Sequence, residues 1–269
     1  MAANEGALRR LPVALQLYTV RDQLREDFRG TVRAVAEMGY DGVQFAGYGG
    51  LSAVEMRRLL EETGLRPAGT HTGLDTLEHD LGTEIDYNLA IGNRWIICPS
   101  LPEARRRDLA GWREIAATLN RIGERCVQRG LRFGYHNHAF EFPEIPGSGG
   151  RHGLDVLLGE TAPDLVFWEP DVYWITKGGA DPVALIRRHA GRIPITHLKD
   201  MTADDRQTFA EVGEGMLDWP AILAASQQAG VEWHCVEQDR CDHPPLDSAR
   251  LSLQHLHSWG LGLGSIQIS

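Results

Sequence analysis

VALQLYTV, residues 13–20, is the first run of the chain with strand character, and the residues at its end decide the fold class. An open, doubly wound sheet that binds a dinucleotide would carry G-x-G-x-x-G at this point, so that a tight turn brings a helix N-terminus to the phosphates. The chain instead reads Gln16-Leu17-Tyr18-Thr19 and passes into an amphipathic segment. That favours a closed barrel over an open sheet.

Seven further runs of the same kind are spaced along the chain: DGVQFAG (41–47), RPAGTHT (66–72), RWIICPS (94–100), RFGYHNH (132–138), LVFWEPDVYW (165–174), IPITHLKD (193–200) and EWHCVEQD (232–239). Segments with apolar residues three or four apart separate them, among them LREDFRGTVRAVAEM and the long ARRRDLAGWREIAATLNRIGERCVQRG. Ser52, Asp181, Asp218 and Asp247 are predicted N-caps, and Gly64, Gly130, Gly191 and Gly230 predicted C′ residues. No Pro-rich linker or change of composition divides the chain. Repeated βα units of this length predict an α/β fold, a (β/α)8 TIM barrel, as a single domain over residues 1–269.

The formal charge of −10 opposes a nucleic-acid partner, because affinity for a phosphate backbone comes from Lys and Arg displacing counterions. No apolar run is long enough for a membrane span. The N-terminal MAANEGALRRLP has no apolar stretch behind its arginines, so the expected compartment is the cytoplasm. Cys98, Cys126, Cys235 and Cys241 show no C-x-x-C spacing and read as reduced thiols. Nothing in the sequence opposes a homo-oligomer.

In barrels of this kind chemistry collects at the C-terminal ends of the strands. Those ends carry Gln16, Gln44, His71, His136, His138, Glu141, Glu169, Asp171, His197, Lys199, Asp200, Glu237 and Asp239. Singly, each has a structural reading as a hydrogen-bonded histidine or a capping carboxylate. Together they converge on one mouth, where gathered charge is costly unless paired or metal-bound. A mixed set of carboxylates and imidazole suits one divalent ion, Mn²⁺, Mg²⁺, Co²⁺ or Zn²⁺, with positions left open for substrate, and is a poor structural zinc site. Period two places His197 with Lys199, Glu169 with Asp171, and Glu237 with Asp239 on shared faces. Glu141 has the opposite parity to His136 and His138. It joins the site only if the strand ends or bulges after His138 and the chain turns back over the mouth.

With LQLYTVRD (15–22), GTHTGL (69–74), YHNHAFEF (135–142), DVYW (171–174), HLKDM (197–201), VGEGMLDWPAIL (212–223) and VEQD (236–239), the chain resembles the xylose-isomerase-like TIM-barrel superfamily of sugar isomerases, epimerases and inosose dehydratases. The resemblance implies a metal held by Asp171, His197 and Glu237, with Glu141 the expected further carboxylate and His136 or His138 the alternative. Gln44 departs from the glutamate common at its position, so it can hydrogen-bond a sugar but cannot be a base.

The expected activity is that of a metal-dependent sugar isomerase or epimerase, which removes the α-proton of a ketose or keto-sugar through an enediolate. Glu237 or His138 is the expected base, with His136 acting on substrate if it does not coordinate. His71 and Lys199 would orient or polarise substrate. Gln16 and Gln44 would bind its hydroxyls, and Tyr18, Tyr48 and Trp174 would stack on it. Elimination on the same site, as in an inosose dehydratase or a 3-keto-glycoside lyase, is the alternative, and a non-catalytic carbohydrate-binding barrel is a further one. The partner is a small sugar or cyclic polyol ketone. No glycine-rich anion loop with basic company stands near the ends of strands seven and eight, so an unphosphorylated substrate is expected, although GEG (213–215) leaves a phosphate open.

Overall fold

Strand β1 (Val13–Gln16) ends where the Gln16 side-chain oxygen accepts the Tyr18 amide and opens a 3-10 turn over Leu17–Val20. The first predicted strand is therefore half as long as its composition suggested. The computed structural model describes residues 10–262. The expectation of no leader falls on residues 1–9, outside them, as do the two ends of the predicted domain.

Five strands come next in order: β2 (Gly42–Phe45), β3 (Arg66–His71), β4 (Trp95–Cys98), β5 (Arg132–His136) and β6 (Val166–Glu169). After β7 (Ile195–Leu198) come a hairpin of two short strands, β8 (Asp200–Met201) and β9 (Phe209–Ala210), and finally β10 (Trp233–Val236). The eight longer strands are parallel in the order β6-β5-β4-β3-β2-β1-β10-β7. A bridge between Asp171 and His197 brings the two ends of that sheet together. The fold is the expected TIM barrel.

Local chemistry sets the helix limits. Ser52 closes a capping box with Glu55, and Asp181 and Asp218 cap as expected. Asp247 does not; it lies in the first turn of helix Pro245–Ser258, whose N-cap is Pro244. The sixth predicted strand also ends early, at Glu169. Pro170 has no N–H to donate, and Asp171 caps helix Val172–Lys177 by accepting the Trp174 amide.

The barrel interior explains where the site sits. Ala14, Ala68, Trp95, Ile97, Phe167, Ile195, Trp233 and Cys235 form its apolar filling. One step of two residues further along, Ala14 gives way to Gln16, Phe167 to Glu169, Ile195 to His197 and Cys235 to Glu237. The polar layer is thus the next tier of the same inward-facing rows. His71 reaches it through an irregularity in β3, since Val43 pairs with Pro67 but Phe45 with Thr70. The added residue restores an inward side chain at position 71. Gly69 makes this feasible at φ 125°, where a Cβ would stand 2.8 Å from Ile97 and 3.1 Å from the Gln44 amide nitrogen.

A larger apolar layer, with Val43, Phe45, Met56, Leu59, Trp112 and Leu119 among its buried members, fills the space between strands and helices. Among the described residues no helix is long and apolar enough to cross a membrane. The four cysteines are free, and all but Cys241 are buried.

Candidate metal and active site

At the centre of the polar tier lies the carboxylate of Glu169, fully buried. His71 Nε2 stands 2.7 Å from its Oε2, and His136 Nδ1 and His197 Nε2 each stand 3.1 Å from the same oxygen. Gln44 donates to Oε1 at 2.6 Å, and Gln44 Oε1 in turn faces Gln16 Nε2 and His197 Nε2. Burial alone would raise the Glu169 pKa, but His197 and His71 overturn that and hold its carboxyl well below the usual range. The same pairing holds His197 well above the ordinary imidazole value against the opposing effect of burial. His136 is driven the other way, by burial and by the charge on His197.

One level nearer the mouth the far edges of the same rings meet two more carboxylates. His197 Nδ1 lies 3.0 Å from Glu237 Oε2, and His136 Nε2 lies 3.8 Å from Asp171 Oδ2. Ligand atoms of His136, Asp171, His197 and Glu237 lie within 4.8 Å of one another, all buried. Lys199 Nζ sits 3.1 Å from Asp171 Oδ2, 3.0 Å from Glu237 Oε2 and 2.5 Å from Asp239 Oδ2. Burial would lower the Lys199 pKa, but these three carboxylates raise it well above the usual amine value. Asp171 is pushed up to about 6 by burial, and its Oδ2 makes no hydrogen bond.

These residues fit a divalent ion. Two imidazole nitrogens and two carboxylate oxygens form the mixed donor set that such ions accept. Asp171 Oδ2, fully buried and held by the Lys199 ion pair, keeps a lone pair free for a cation. Expected ligands Asp171, His197 and Glu237 are brought together, with His136 as the fourth member.

Glu141 is not brought there. Strand β5 ends at His136, and the chain turns over Ala139–Glu141, as the parity required, but the carboxylate points away from the mouth. It accepts the Tyr135 hydroxyl at 2.5 Å and the His138 amide at 3.0 Å, capping its own turn. Tyr135 belongs to the apolar layer under the helices, so Glu141 is sunk on the outer side of the barrel wall. Burial pushes its pKa up to about 8. The folded state therefore holds a proton that the unfolded chain releases near pH 4.5, and stability falls as pH rises between those values. At about 1.4 kcal/mol per unit, wild type should lose roughly 2–3 kcal/mol more than Glu141→Gln between pH 6 and 8.5 in urea unfolding. The variant should keep its full complement of metal; loss of metal would restore Glu141 as a ligand.

A cavity of about 310 Å³ opens above the cluster, lined by Tyr18, Ala46, His71, Pro99, Ser100, His136, His138, Glu237 and Asp239. The expected contributors His71, His138, Glu237 and Tyr18 are on its wall. His138 is held down to about 4, mainly by burial and then by Lys199, and its Nδ1 has no partner. Gln16 and Gln44 do not reach the cavity; both are fully buried in the tier below, bonded to each other. Tyr48 is also displaced from its expected role, because it stacks on Tyr87 at 3.9 Å and donates to Glu84. Trp174 packs behind the wall, 5.3 Å from the His138 ring and 5.6 Å from Lys199 Nζ.

Two features escaped sequence reasoning. Glu169 was visible as a strand-end carboxylate, and its spacing of two from Phe167 on the inner face was the signal of its depth. Asp200 is the other: it accepts the backbone amides of Met201, Gly213, Gly215 and Leu217 and the Trp219 indole N–H. The GEG loop is thus already filled by a carboxylate of the chain. A Cβ on Gly215 would lie 2.2 Å from Asp200 Oδ1, so only glycine permits the approach.

A family model described as xylose isomerase-like TIM barrel matches residues 32–259. An inosose dehydratase of Geobacillus kaustophilus (strain HTA426) is 25% identical over 263 residues, covering 82% of this chain and 84% of the relative. One from Lacticaseibacillus casei is 28% identical over 164 residues, 54% of this chain and 53% of the relative, so that match spans about half the length of the relative. A sugar phosphate isomerase/epimerase from Parabacteroides distasonis superposes with a TM-score of 0.81 at 22% identity, covering 96% of both chains.

Proposed function

Since the chain belongs to the xylose isomerase-like TIM-barrel family, we propose that it is a metal-dependent enzyme that removes the proton next to the carbonyl of an uncharged keto-sugar or cyclic polyol ketone. The observation that carries this reading is the meeting of His136, Asp171, His197 and Glu237 beneath a cavity walled by His71 and His138. A divalent ion held there would act as a Lewis acid on a carbonyl oxygen and acidify the neighbouring C–H.

The residues of the chain do the rest. Asp171, His197, Glu237 and His136 would hold the ion. His138, kept neutral with Nδ1 unpartnered, and Glu237 face the cavity as proton acceptors. Lys199 keeps Asp171, Glu237 and Asp239 in one place and partly balances their charge.

Two features support an uncharged substrate. Among the described residues the cavity wall offers Glu237 and Asp239 but no Lys or Arg, and the amide loop near the seventh and eighth barrel strands, where such barrels commonly hold phosphate, is filled by Asp200. Once the proton has left, its return to the neighbouring carbon isomerises and its return to the same carbon from the opposite face epimerises, whereas departure of a β-oxygen dehydrates. The relatives named inosose dehydratase favour elimination as the second step.

Incubation with Mn²⁺ in D₂O and a panel of ketoses, inososes and 3-keto-glycosides should place deuterium on carbon. The exchange should stop after chelation and recover with added metal. Undiminished turnover after chelation would defeat the metal reading. Sugar binding without metal or exchange would make the protein a carbohydrate-binding barrel instead.

A further inference from the structure

We propose that Glu169 is the positioning residue that fixes the protons of three imidazoles, so that His136 and His197 turn bare nitrogens to the metal and His71 turns one to the substrate. The inference rests on the metal reading above and goes beyond it, because it assigns each ring its tautomer.

The geometry leaves few choices. Glu169 is fully buried, its Oε2 is shared by His71 Nε2, His136 Nδ1 and His197 Nε2, and its Oε1 is taken by the Gln44 amide. A carboxylate offers only acceptors, so every ring nitrogen facing it carries hydrogen. For His197 the constraint is doubled, because Nε2 also faces Gln44 Oε1 at 2.7 Å; Gln16 Nε2 donates to that same oxygen at 2.6 Å, which leaves the Gln44 amide nitrogen for Glu169.

The opposite ring edges are then determined. His136 is left with Nε2, 3.8 Å from Asp171 Oδ2; His197 Nδ1, 3.0 Å from Glu237 Oε2, also carries hydrogen while no ion is bound, and that is the proton an ion at the site would displace. These edges face the two carboxylates of the candidate metal group. A neutral imidazole whose far N–H is held by a carboxylate is the usual form of a metal-bound histidine, and losing that partner typically weakens metal binding 10–100-fold. His71 differs in lacking a place among those four ligands. Its Nε2 is committed to Glu169, it lines the cavity, and Nδ1 is the nitrogen it has left for substrate. The arrangement is that of a general base oriented by a buried carboxylate.

One other use of these residues is conceivable, since His71, His136, Glu169 and His197 also lie close enough to hold an ion among themselves. That would need the three N–H groups on Glu169 to be replaced by ring nitrogens without hydrogen. The two arrangements therefore predict opposite tautomers.

Imidazole ¹⁵N NMR of the Zn²⁺-loaded wild-type protein reads them directly. The expected result is hydrogen on Nδ1 of His136, on Nε2 of His197 and on Nε2 of His71, with one Zn²⁺ bound per chain. Hydrogen on the opposite nitrogens, or two Zn²⁺ per chain, would overturn the assignment. Co²⁺ titration of Glu169→Gln, followed by visible absorption, should show a 10–100-fold weaker affinity and an altered spectrum, partly rescued in Glu169→Asp. Wild-type affinity and spectrum in Glu169→Gln would also overturn it. If wild type bound no divalent ion, the metal reading itself would fail; if it bound one with the wrong tautomers, only the role of Glu169 would.

Discussion

Replacing Glu237 by Gln is expected to reduce turnover by at least about a thousandfold while the barrel stays folded. The residue stands just beyond β10, 6% exposed, with Oε2 at 3.0 Å from both Lys199 Nζ and His197 Nδ1. Burial would raise its pKa, but Lys199 and then His197 hold it well below the usual carboxylate range, so it is charged across the working pH. The amide is almost the same size, which spares the packing. It removes one negative charge from the ligand group and brings an N–H₂ toward partners that are themselves donors. Metal affinity should therefore fall by more than the roughly hundredfold that an outer partner is worth. Steady-state rates, calorimetric metal titration and circular dichroism test the three parts together. Unchanged metal affinity would remove Glu237 from the ligand group whatever happened to the rate.

The variant also separates two roles the residue could combine. If Glu237 only holds the ion, saturating metal should recover most of the lost rate. If it also takes the proton, the rate should stay low when the site is full. His138 then provides the comparison, since it lines the cavity outside the four-member ligand group, and its replacement should leave metal binding intact.

The barrel was legible because period-two rows and helical spacing survive in a single sequence, whereas contacts that depend on chain direction do not. Parity showed that Glu141 could reach the site only through a turn after β5. The turn exists, yet its carboxylate is consumed by the Tyr135 hydroxyl and by the His138 amide, donors that no spacing rule reveals. Asp171 was expected on a strand; Pro170 ends the ladder and makes Asp171 a helix cap. Gln16 and Gln44 look like strand-end groups for substrate, but they lie one tier too deep, where their amides meet each other and the imidazoles. Depth along a row was the missing coordinate. Counting two residues from the last apolar filler on each strand recovers it for Gln16, Glu169 and His197.

Lys199→Met should produce the second large effect, on stability rather than rate. Lys199 is fully buried and is the ammonium common to Asp171, Glu237 and Asp239. Removing one partner of a buried ion cluster leaves uncompensated charge, at about 3–5 kcal/mol. For a chain of this size that lowers the metal-free melting temperature by roughly 6–20 °C. The same change should strengthen divalent-ion binding. Nζ lies 3.1 Å from Asp171 Oδ2 and 3.0 Å from Glu237 Oε2, so the ammonium competes for oxygens that the ion would use. Saturating Mn²⁺ should thus raise the melting temperature of Lys199→Met more than that of wild type, since stabilisation by a ligand grows with the ratio of its concentration to Kd. Scanning calorimetry of chelated and metal-loaded forms of both proteins measures the two differences. Equal metal-induced shifts would mean that the ammonium and the ion do not share those carboxylates, and the ion would then have to sit deeper, on the histidines around Glu169.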